Sequence, residues 1–245
     1  MRILVIDVGG THVKVLATGH KKPVKIPSGP HMTAAKMVAV VRAATVTWKY
    51  EAVSIGYPGS VAHGSPLMEP YHLGRGWLGF DFTKAFARPV KIVNDAAMQA
   101  LGSYQGGRML FLGLGTGLGS ALIAENVLEA MELAHLPYKK GRSYEDYVGA
   151  AALKRKGKRK WRHRVNKIVQ LLLVAMQADY VVLGGGNARR LKKLPPRARL
   201  GKNARAFEGG YRLWTTRYSG STPERFVHHA NKNKRPHGKE TRRHL

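Results

Sequence analysis

The chain has 245 residues, with 42 Lys/Arg against 14 Asp/Glu for a formal charge of +28, 44% apolar residues and no cysteine. That length can bury one sizeable core or two lobes, the missing thiols exclude disulfides and thiolate metal sites, and no apolar run approaches the span of a bilayer. A strand at the first residues leaves no room for a secretory leader, so a soluble cytoplasmic α/β protein with an appetite for polyanions is expected.

The chain opens with Ile3-Leu4-Val5-Ile6, a buried strand over 2–7 that runs into Asp7-Val8-Gly9-Gly10-Thr11, and Val13, Val15 and Leu16 read as a return strand over 12–18. A carboxylate holds a hard cation through oxygen, and glycines let backbone N–H groups approach an anion, so this turn has phosphate-and-metal chemistry. Strand-Asp-Gly-Gly is also good hairpin chemistry, and Lys14 reads equally as an extra cation or as a solvent-facing strand residue. After a break at Pro27-Ser28-Gly29-Pro30, Thr33 caps a predicted helix to about Trp48 with Ala35, Val38, Val41 and Ala44 in helical spacing. A strand over 52–55, a Gly/Pro-rich loop over 63–79 and a short helix over 81–87 follow.

Val90-Lys91-Ile92-Val93 is a second strand that ends in Asn94-Asp95 just before a helix over 96–104. Side chains at the carboxyl end of a sheet strand face the crevice where open α/β sheets bind ligands. Asp95 there is a candidate general base, or an ordinary helix N-cap. Gln105-Gly106-Gly107 divides the chain, and Met109 to Leu114 is a third strand entering Gly115-Thr116-Gly117-Leu118-Gly119, with an apolar return run over 121–124. Two lobes that each open with a strand and hairpin at a phosphate turn suggest a weak internal duplication around a cleft. Glu132 and His135, three apart, would share one face of a helical turn. Helices are predicted over 143–155 and 161–178. Tyr180-Val181-Val182-Leu183 is a last strand, entering Gly184-Gly185-Gly186-Asn187 and a helix-like segment over 188–194 whose start suits a nucleotide.

The charge is not evenly spread. No acid occurs between Tyr147 and Ala178, and residues 154–164 hold eight Lys/Arg in eleven positions around Trp161, opposite an apolar helix face of Val165, Ile168, Val169, Leu172, Leu173 and Met176. Three readings compete for that run: a solvated face, a groove for inorganic polyphosphate, and nucleic-acid binding, for which one aromatic is no stacking platform. Residues 215–245 form a basic tail in which little order is expected.

The order of these motifs resembles the ROK family of sugar kinases, within the actin, sugar kinase and Hsp70 superfamily, and most closely its polyphosphate/ATP glucokinase branch, over residues 1 to 214. The resemblance implies a two-lobed actin-like, ribonuclease H-like fold with the ligand cleft between an N-terminal lobe (1–107) and a C-terminal lobe (108–214). It implies a hexose kinase, with glucose at its 6-hydroxyl the expected acceptor, ATP or polyphosphate the donor, and a homodimeric state. On it, Gly9, Gly10, Thr11 and Lys14 form the first phosphate motif, Gly115, Thr116 and Gly117 the second, and Gly184, Gly185 and Gly186 the adenosine-side turn. Asp7 would serve Mg²⁺ and Asp95 would take the sugar's proton. Ile55-Gly56-Tyr57-Pro58-Gly59 is similar to the family's Gly-x-Pro-Gly loop beside the sugar, and Glu132-Leu133-Ala134-His135 to its Glu-x-Gly-His motif. The sugar residues implied are then Gly59, Asn94, Asp95, Glu132, His135 and, from Tyr144-Glu145-Asp146-Tyr147, Glu145, which a capping box with Ser143 would equally explain.

Two departures stand out. The zinc-binding cysteines of relatives are absent, so no zinc is expected, and His72 stands where relatives carry an Asn near the sugar. The rival reading is a non-catalytic polyanion- or nucleic-acid-binding protein on the same scaffold; the kept residues Asp7, Asn94, Asp95, Glu132 and His135 weigh against it.

Overall fold

A computed structural model describes residues 1–202 and 204–215, so the expected basic tail lies, from residue 216 on, outside the described residues. Strand β1 (Ile3–Val8) is buried along its whole length because both of its faces are covered, hence its uninterrupted apolar run. β2 (His12–Ala17) returns antiparallel to it, with Asp7 opposite Lys14, and β3 (Val24–Pro27) continues the meander. Helix α1 (Ala34–Ala44) starts at Thr33, whose hydroxyl oxygen accepts the Lys36 N–H. It ends four residues before the expected Trp48, where the β-branched run Thr45-Val46-Thr47 disfavours another turn. β4 (Ala52–Tyr57) lies parallel to β1; then β5 (Val61–Ala62) and β6 (Ser65–Pro66) make a small hairpin, and α2 (Phe82–Phe86) leads to β7 (Val90–Asn94), parallel to β4. The sheet order is β3-β2-β1-β4-β7.

Helix α3 (Asp95–Ser103) carries the chain to the second sheet. There β8 (Met109–Leu114), β9 (Leu118–Ala124) and β10 (Val127–Met131) form an antiparallel meander. The hairpin β11 (Pro137–Lys139) and β12 (Arg142–Ser143), the short α4 (Glu145–Val148) and the long α5 (Ala150–Ala175) precede β13 (Tyr180–Gly184) and β14 (Ala198–Leu200), which extend the sheet in parallel. The order β10-β9-β8-β13-β14 repeats the first sheet's pattern of two antiparallel and two parallel pairings, so the duplication suspected from the turns extends to whole sheets. This is the two-lobed α/β fold that the resemblance implied.

Three expectations change. The two helices placed over 143–155 and 161–178 are present with other bounds: they meet at a kink at Gly157, whose φ of 72° is non-helical, within Ala150–Ala175, and a separate turn at Glu145–Val148 precedes them. The segment 188–194 holds only a 3-10 turn, Ala188–Arg190, because four like charges crowd it and Pro195-Pro196 force the preceding backbone into extended geometry before a helix can propagate. Finally, α6 (Arg205–Arg212), assigned to the second lobe by position, packs on the first: Gly210 lies against Val5 and its carbonyl accepts the buried Ser54 hydroxyl at 2.6 Å. Trp214 Nε1 donates to the same hydroxyl oxygen at 2.9 Å.

α3 and α6 cross at the centre of the molecule, between the sheets. Odd-numbered β8 residues Met109 and Phe111 pack with α3, whereas even-numbered Leu110, Leu112 and Leu114 join the α5 face in a core with Trp161, Val165, Ile168 and Leu172. In β1, Leu4, Ile6 and Val8 face α1, and Ile3 and Val5 face α6. The strand period of two thus assigns each side chain to one of two cores.

Candidate active site

Asp7 closes β1 and is 8% exposed, so its carboxylate needs a counter-charge. Strand register supplies one: Lys14, directly opposite on β2, reaches Asp7 Oδ2 with Nζ at 2.9 Å. Lys14 is therefore the partner of Asp7, not a solvent-facing strand residue. In the turn itself the Gly9 N–H donates to the His12 carbonyl at 3.1 Å, and the Gly9 carbonyl accepts the Ser28 hydroxyl at 2.6 Å. Gly9 shapes the turn and its N–H is internal to it, whereas among the described residues no hydrogen bond engages the Gly10 or Thr11 N–H. His72 lies over this turn, since a Cβ on Gly10 would stand 3.0 Å from the His72 Cβ.

At the end of β7 the division of labour differs from the expected one. Asn94, not Asp95, is the helix cap: its Oδ1 accepts the Ala96 and Ala97 N–H groups at 2.9 and 3.3 Å, and its Nδ2 donates to the Gly59 carbonyl at 2.9 Å. One amide thereby fixes both the start of α3 and the Gly56–Gly59 loop, and it keeps one Nδ2 hydrogen for a ligand. Asp95 is the first residue of α3. Burial pushes its carboxyl up to about 7, and the nearby Asp7 charge adds to the rise, while the Ala96 N–H and the Lys14 cation oppose it. A carboxyl poised there can hold or release a proton near neutral pH. The influence of Asp7 and Lys14 on Asp95 shows that the first turn and the end of β7 share one electrostatic site.

The second turn is built similarly. The Gly115 N–H is turned inward, donating to the Gly113 and Gly117 carbonyls at 3.1 Å each, so Thr116 and Gly117 carry the outward positions. Glu145 sits against this turn and accepts the Leu118 N–H at 2.9 Å with Oε2. A Cβ on Gly117 would collide with that same Oε2. The capping box belongs to Asp146, which exchanges hydrogen bonds with Ser143 through its N–H and Oδ2. Asn187 locks the third turn onto the second, with its N–H to the Leu114 carbonyl at 2.9 Å and its Nδ2 to the Gly115 carbonyl at 3.0 Å. Gly185, at φ 78°, packs its α-carbon against the Leu114 backbone, a position closed to a side chain. The Gly184–Gly186 turn is thus brought to the Gly115–Gly117 turn. Across the cleft, a Cβ on Gly119 would lie 2.8 Å from the Ala96 Cβ, so the Asp95 helix start meets the second hairpin directly.

Glu132 and His135 come together with Oε1 and Nε2 3.7 Å apart, both more than half exposed. They do so in a non-helical turn between β10 and β11, not on a helix face, because Ser120 pins the chain there: its hydroxyl donates to the Met131 carbonyl and accepts the Leu133 N–H. The Ala134 carbonyl accepts the Glu145 N–H at 3.1 Å, linking this loop to the second turn through α4. Ser120, Ser28 and the locking role of Asn187 carry no motif and escape a reading of the sequence.

The basic run begins at the same place. The Ala150 N–H donates to the Thr116 carbonyl at 3.0 Å, so α5 starts on the second turn and leads away from it. Residues 154–160 are all exposed, whereas Trp161 is fully buried with Nε1 donating to the Val148 carbonyl at 2.7 Å, and so belongs to the core. Beyond it, Lys139, Lys140, Tyr147, His163, Arg164 and Lys167 line a depression of about 310 Å³ between the β11–β12 hairpin and α5. The Arg164 guanidinium lies 5.0 Å above the Tyr147 ring.

No protein-family model matches the chain. A polyphosphate glucokinase of Mycobacterium tuberculosis (strain CDC 1551 / Oshkosh) is 27% identical over 217 residues, covering 78% of this chain and 80% of the relative. Among solved structures, the inorganic polyphosphate/ATP-glucomannokinase of Arthrobacter sp. strain KM superposes with a TM-score of 0.72 at 23% identity, over 85% of this chain and 96% of that one. A ROK family glucokinase from Streptomyces griseus, in complex with glucose and AMPPNP, does so with a TM-score of 0.65 at 18% identity, over 87% and 99%. The chain is thus similar in sequence to polyphosphate glucokinases and shares its two-sheet fold with solved ROK sugar kinases.

Proposed function

We propose that this protein transfers a phosphoryl group from ATP or inorganic polyphosphate to a hexose, with the 6-hydroxyl of glucose as the acceptor and Asp95 as the general base. The observation that carries the reading is the convergence of Asp7, Lys14 and a half-buried Asp95, its carboxyl held near 7, beside two turns with outward N–H groups. A sugar hydroxyl is a poor nucleophile until a carboxylate accepts its proton, and a base whose pKa lies near the working pH does this best. Asn94, fixed by its two capping bonds, orients the hydroxyl beside Asp95. Glu132 and His135 face the remaining hydroxyls, and the exposed His72 above Gly10 takes the place of the family's amide. Gly10, Thr11, Thr116 and Gly117 hold the donor's oxygens with N–H and hydroxyl donors.

The donor set at the first turn suits Mg²⁺: Asp7 offers hard oxygen ligands, and with Oδ2 occupied by Lys14, Oδ1 is left for the ion or for one of its waters. When bound, the ion neutralises phosphate charge and aligns the donor. Zinc has no place in this reading.

Glu145 links donor and acceptor sides. Glu145→Ala is expected to raise KM for the phosphoryl donor about tenfold through loss of a charge-assisted hydrogen bond to the second turn, and Glu145→Gln, which keeps an acceptor oxygen, to raise it less. A rise confined to the sugar KM would instead assign the carboxylate to the sugar.

The basic depression between the β11–β12 hairpin and α5 favours a long polyanionic donor over a mononucleotide, because α5 begins at the Thr116 carbonyl and carries cations from there to the depression. Replacing Lys139, Lys140 and Lys167 together by Gln should raise KM for long-chain polyphosphate roughly tenfold or more at low salt and leave KM for ATP within about twofold. Equal effects on both donors would remove the depression from the donor's path. The rival reading, a non-catalytic polyanion binder, predicts tight salt-sensitive RNA or DNA binding with no glucose phosphorylation; one assay of glucose with each donor decides between them.

A further inference from the structure

The first sheet has a second concave site at its other end. A cavity of about 580 Å³ opens between the end of α1, the start of β4 and the α2–β7 turn, and its walls include Arg42, Lys49, Arg88, Trp48, Tyr50 and Phe86. It lies at the amino ends of the parallel strands β1, β4 and β7, whose carboxyl ends carry Asp7, Tyr57 and Asn94. Five to six residues of strand separate it from the catalytic cleft, roughly 17–20 Å.

Its charge is uncompensated. Arg42 Nη1 donates to the Ala85 carbonyl at 3.1 Å, and Arg88 donates through Nε to the Tyr50 carbonyl at 3.3 Å and through Nη1 to the Ala87 carbonyl at 2.8 Å. Neutral acceptors fix the two guanidinium planes without cancelling their charge, and several N–H donors remain on each. Among the described residues no carboxylate pairs with Arg42, Lys49 or Arg88. The one acid lining the cavity, Glu51, is taken up at the Arg2 edge: it accepts the Arg2 N–H at 2.7 Å and stands 4.0 Å from the N-terminal ammonium, leaving Arg42, Lys49 and Arg88 without a carboxylate among the described residues. The floor is apolar, with Phe86 buried and Trp48 and Tyr50 half-buried, and Trp48 is held by stacking on His20 at a centroid distance of 4.0 Å.

Pre-oriented guanidiniums recognise the forked oxygens of a phosphate, and an aromatic wall beside them recognises a flat ring. The volume lies within the range of small-molecule sites. We propose that this cavity binds a small ring-bearing organic phosphate of mononucleotide size, at a site separate from the one where phosphoryl transfer is proposed.

The test uses the full chain and AMP, ribose 5-phosphate and inorganic phosphate as probes, with binding read by equilibrium dialysis at saturating glucose and compared between the unmodified chain and charge-reversal variants of the cavity. AMP should bind in this background, with ribose 5-phosphate and inorganic phosphate at least about tenfold weaker because they lack the flat aromatic base. The double variant Arg42→Glu/Arg88→Glu should lose AMP binding at least about tenfold. Because those arginines also brace backbone carbonyls, Lys49→Glu, which breaks no hydrogen bond of the described residues, provides a second variant and should weaken AMP about threefold or more. Asp7→Asn should bind AMP as the unmodified chain does. AMP binding unchanged in both charge-reversal variants, or inorganic phosphate binding as tightly as AMP, would overturn the proposal. Neither outcome depends on whether the cleft phosphorylates a sugar.

Discussion

Asp95→Asn is expected to abolish phosphoryl transfer to a hexose while leaving sugar affinity within about tenfold, since the amide keeps the shape and one acceptor but cannot take a proton. Retained turnover would remove Asp95 from the mechanism. The unmodified protein should gain activity as pH rises through about 7, where burial and the Asp7 charge place this carboxyl. Stability should move the other way. A carboxyl whose pKa is raised by folding keeps its proton in the native state while the unfolded chain releases it, so its contribution is complete below about pH 4 and is lost as pH rises to about 7. Asp95→Asn should therefore be more thermally stable than the unmodified chain at pH 8 and show little difference at pH 4. A destabilised Asn variant at pH 8 would mean that the carboxylate is a net structural asset.

The largest expected effect on folding lies far from the chemistry, at Gly209. A Cβ there would collide with the Met98 carbonyl of α3, and one on Gly102 with the Arg205 carbonyl of α6. Both obstacles are helix backbone, which cannot rotate aside as a side chain can. Gly209→Ala should cost about 3 kcal/mol or more, above the usual range for overpacking, and lower the thermal midpoint by roughly 6–12 °C. Gly209→Leu should yield little soluble protein. A midpoint within about 2 °C of the unmodified chain for Gly209→Ala would show that the α3–α6 crossing can open without loss. Because α3 carries Asp95 at its start, a variant that folds with α6 displaced should also lose activity.

Neither Gly102 nor Gly209 belongs to a pattern that a sequence reading recognises. Their requirement exists only when two helices distant in the chain cross with backbones in contact. Local signals did identify what lies along one segment: the buried strands entering Asp7, Gly115 and Gly184 were visible because apolar runs ending in glycines have few other uses, and the Thr33 cap because a hydroxyl there has a nearby N–H to satisfy. Where two local solutions satisfied the same need, the chain alone could not choose. From the sequence, capping reads onto Asp95 and Glu145, but the neighbours Asn94 and Asp146 take those roles and leave Asp95 and Glu145 beside the phosphate-type turns. The helix expected at 188–194 failed for a local reason, since Pro195-Pro196 and four like charges outweighed its spacing.

The sequence by itself determined the buried strands that enter the Asp7, Gly115 and Gly184 turns and the concentration of cations on α5, because each depends on residue types within one short segment. The tertiary structure decided that Lys14 pairs with Asp7, that α6 returns to the first lobe, that Glu145 braces the second turn, that Trp161 is core and not part of the basic surface, and that a second basic cavity faces away from the cleft. Each of these depends on register, burial or a long-range approach, and those are fixed only when segments far apart in the chain pack against one another.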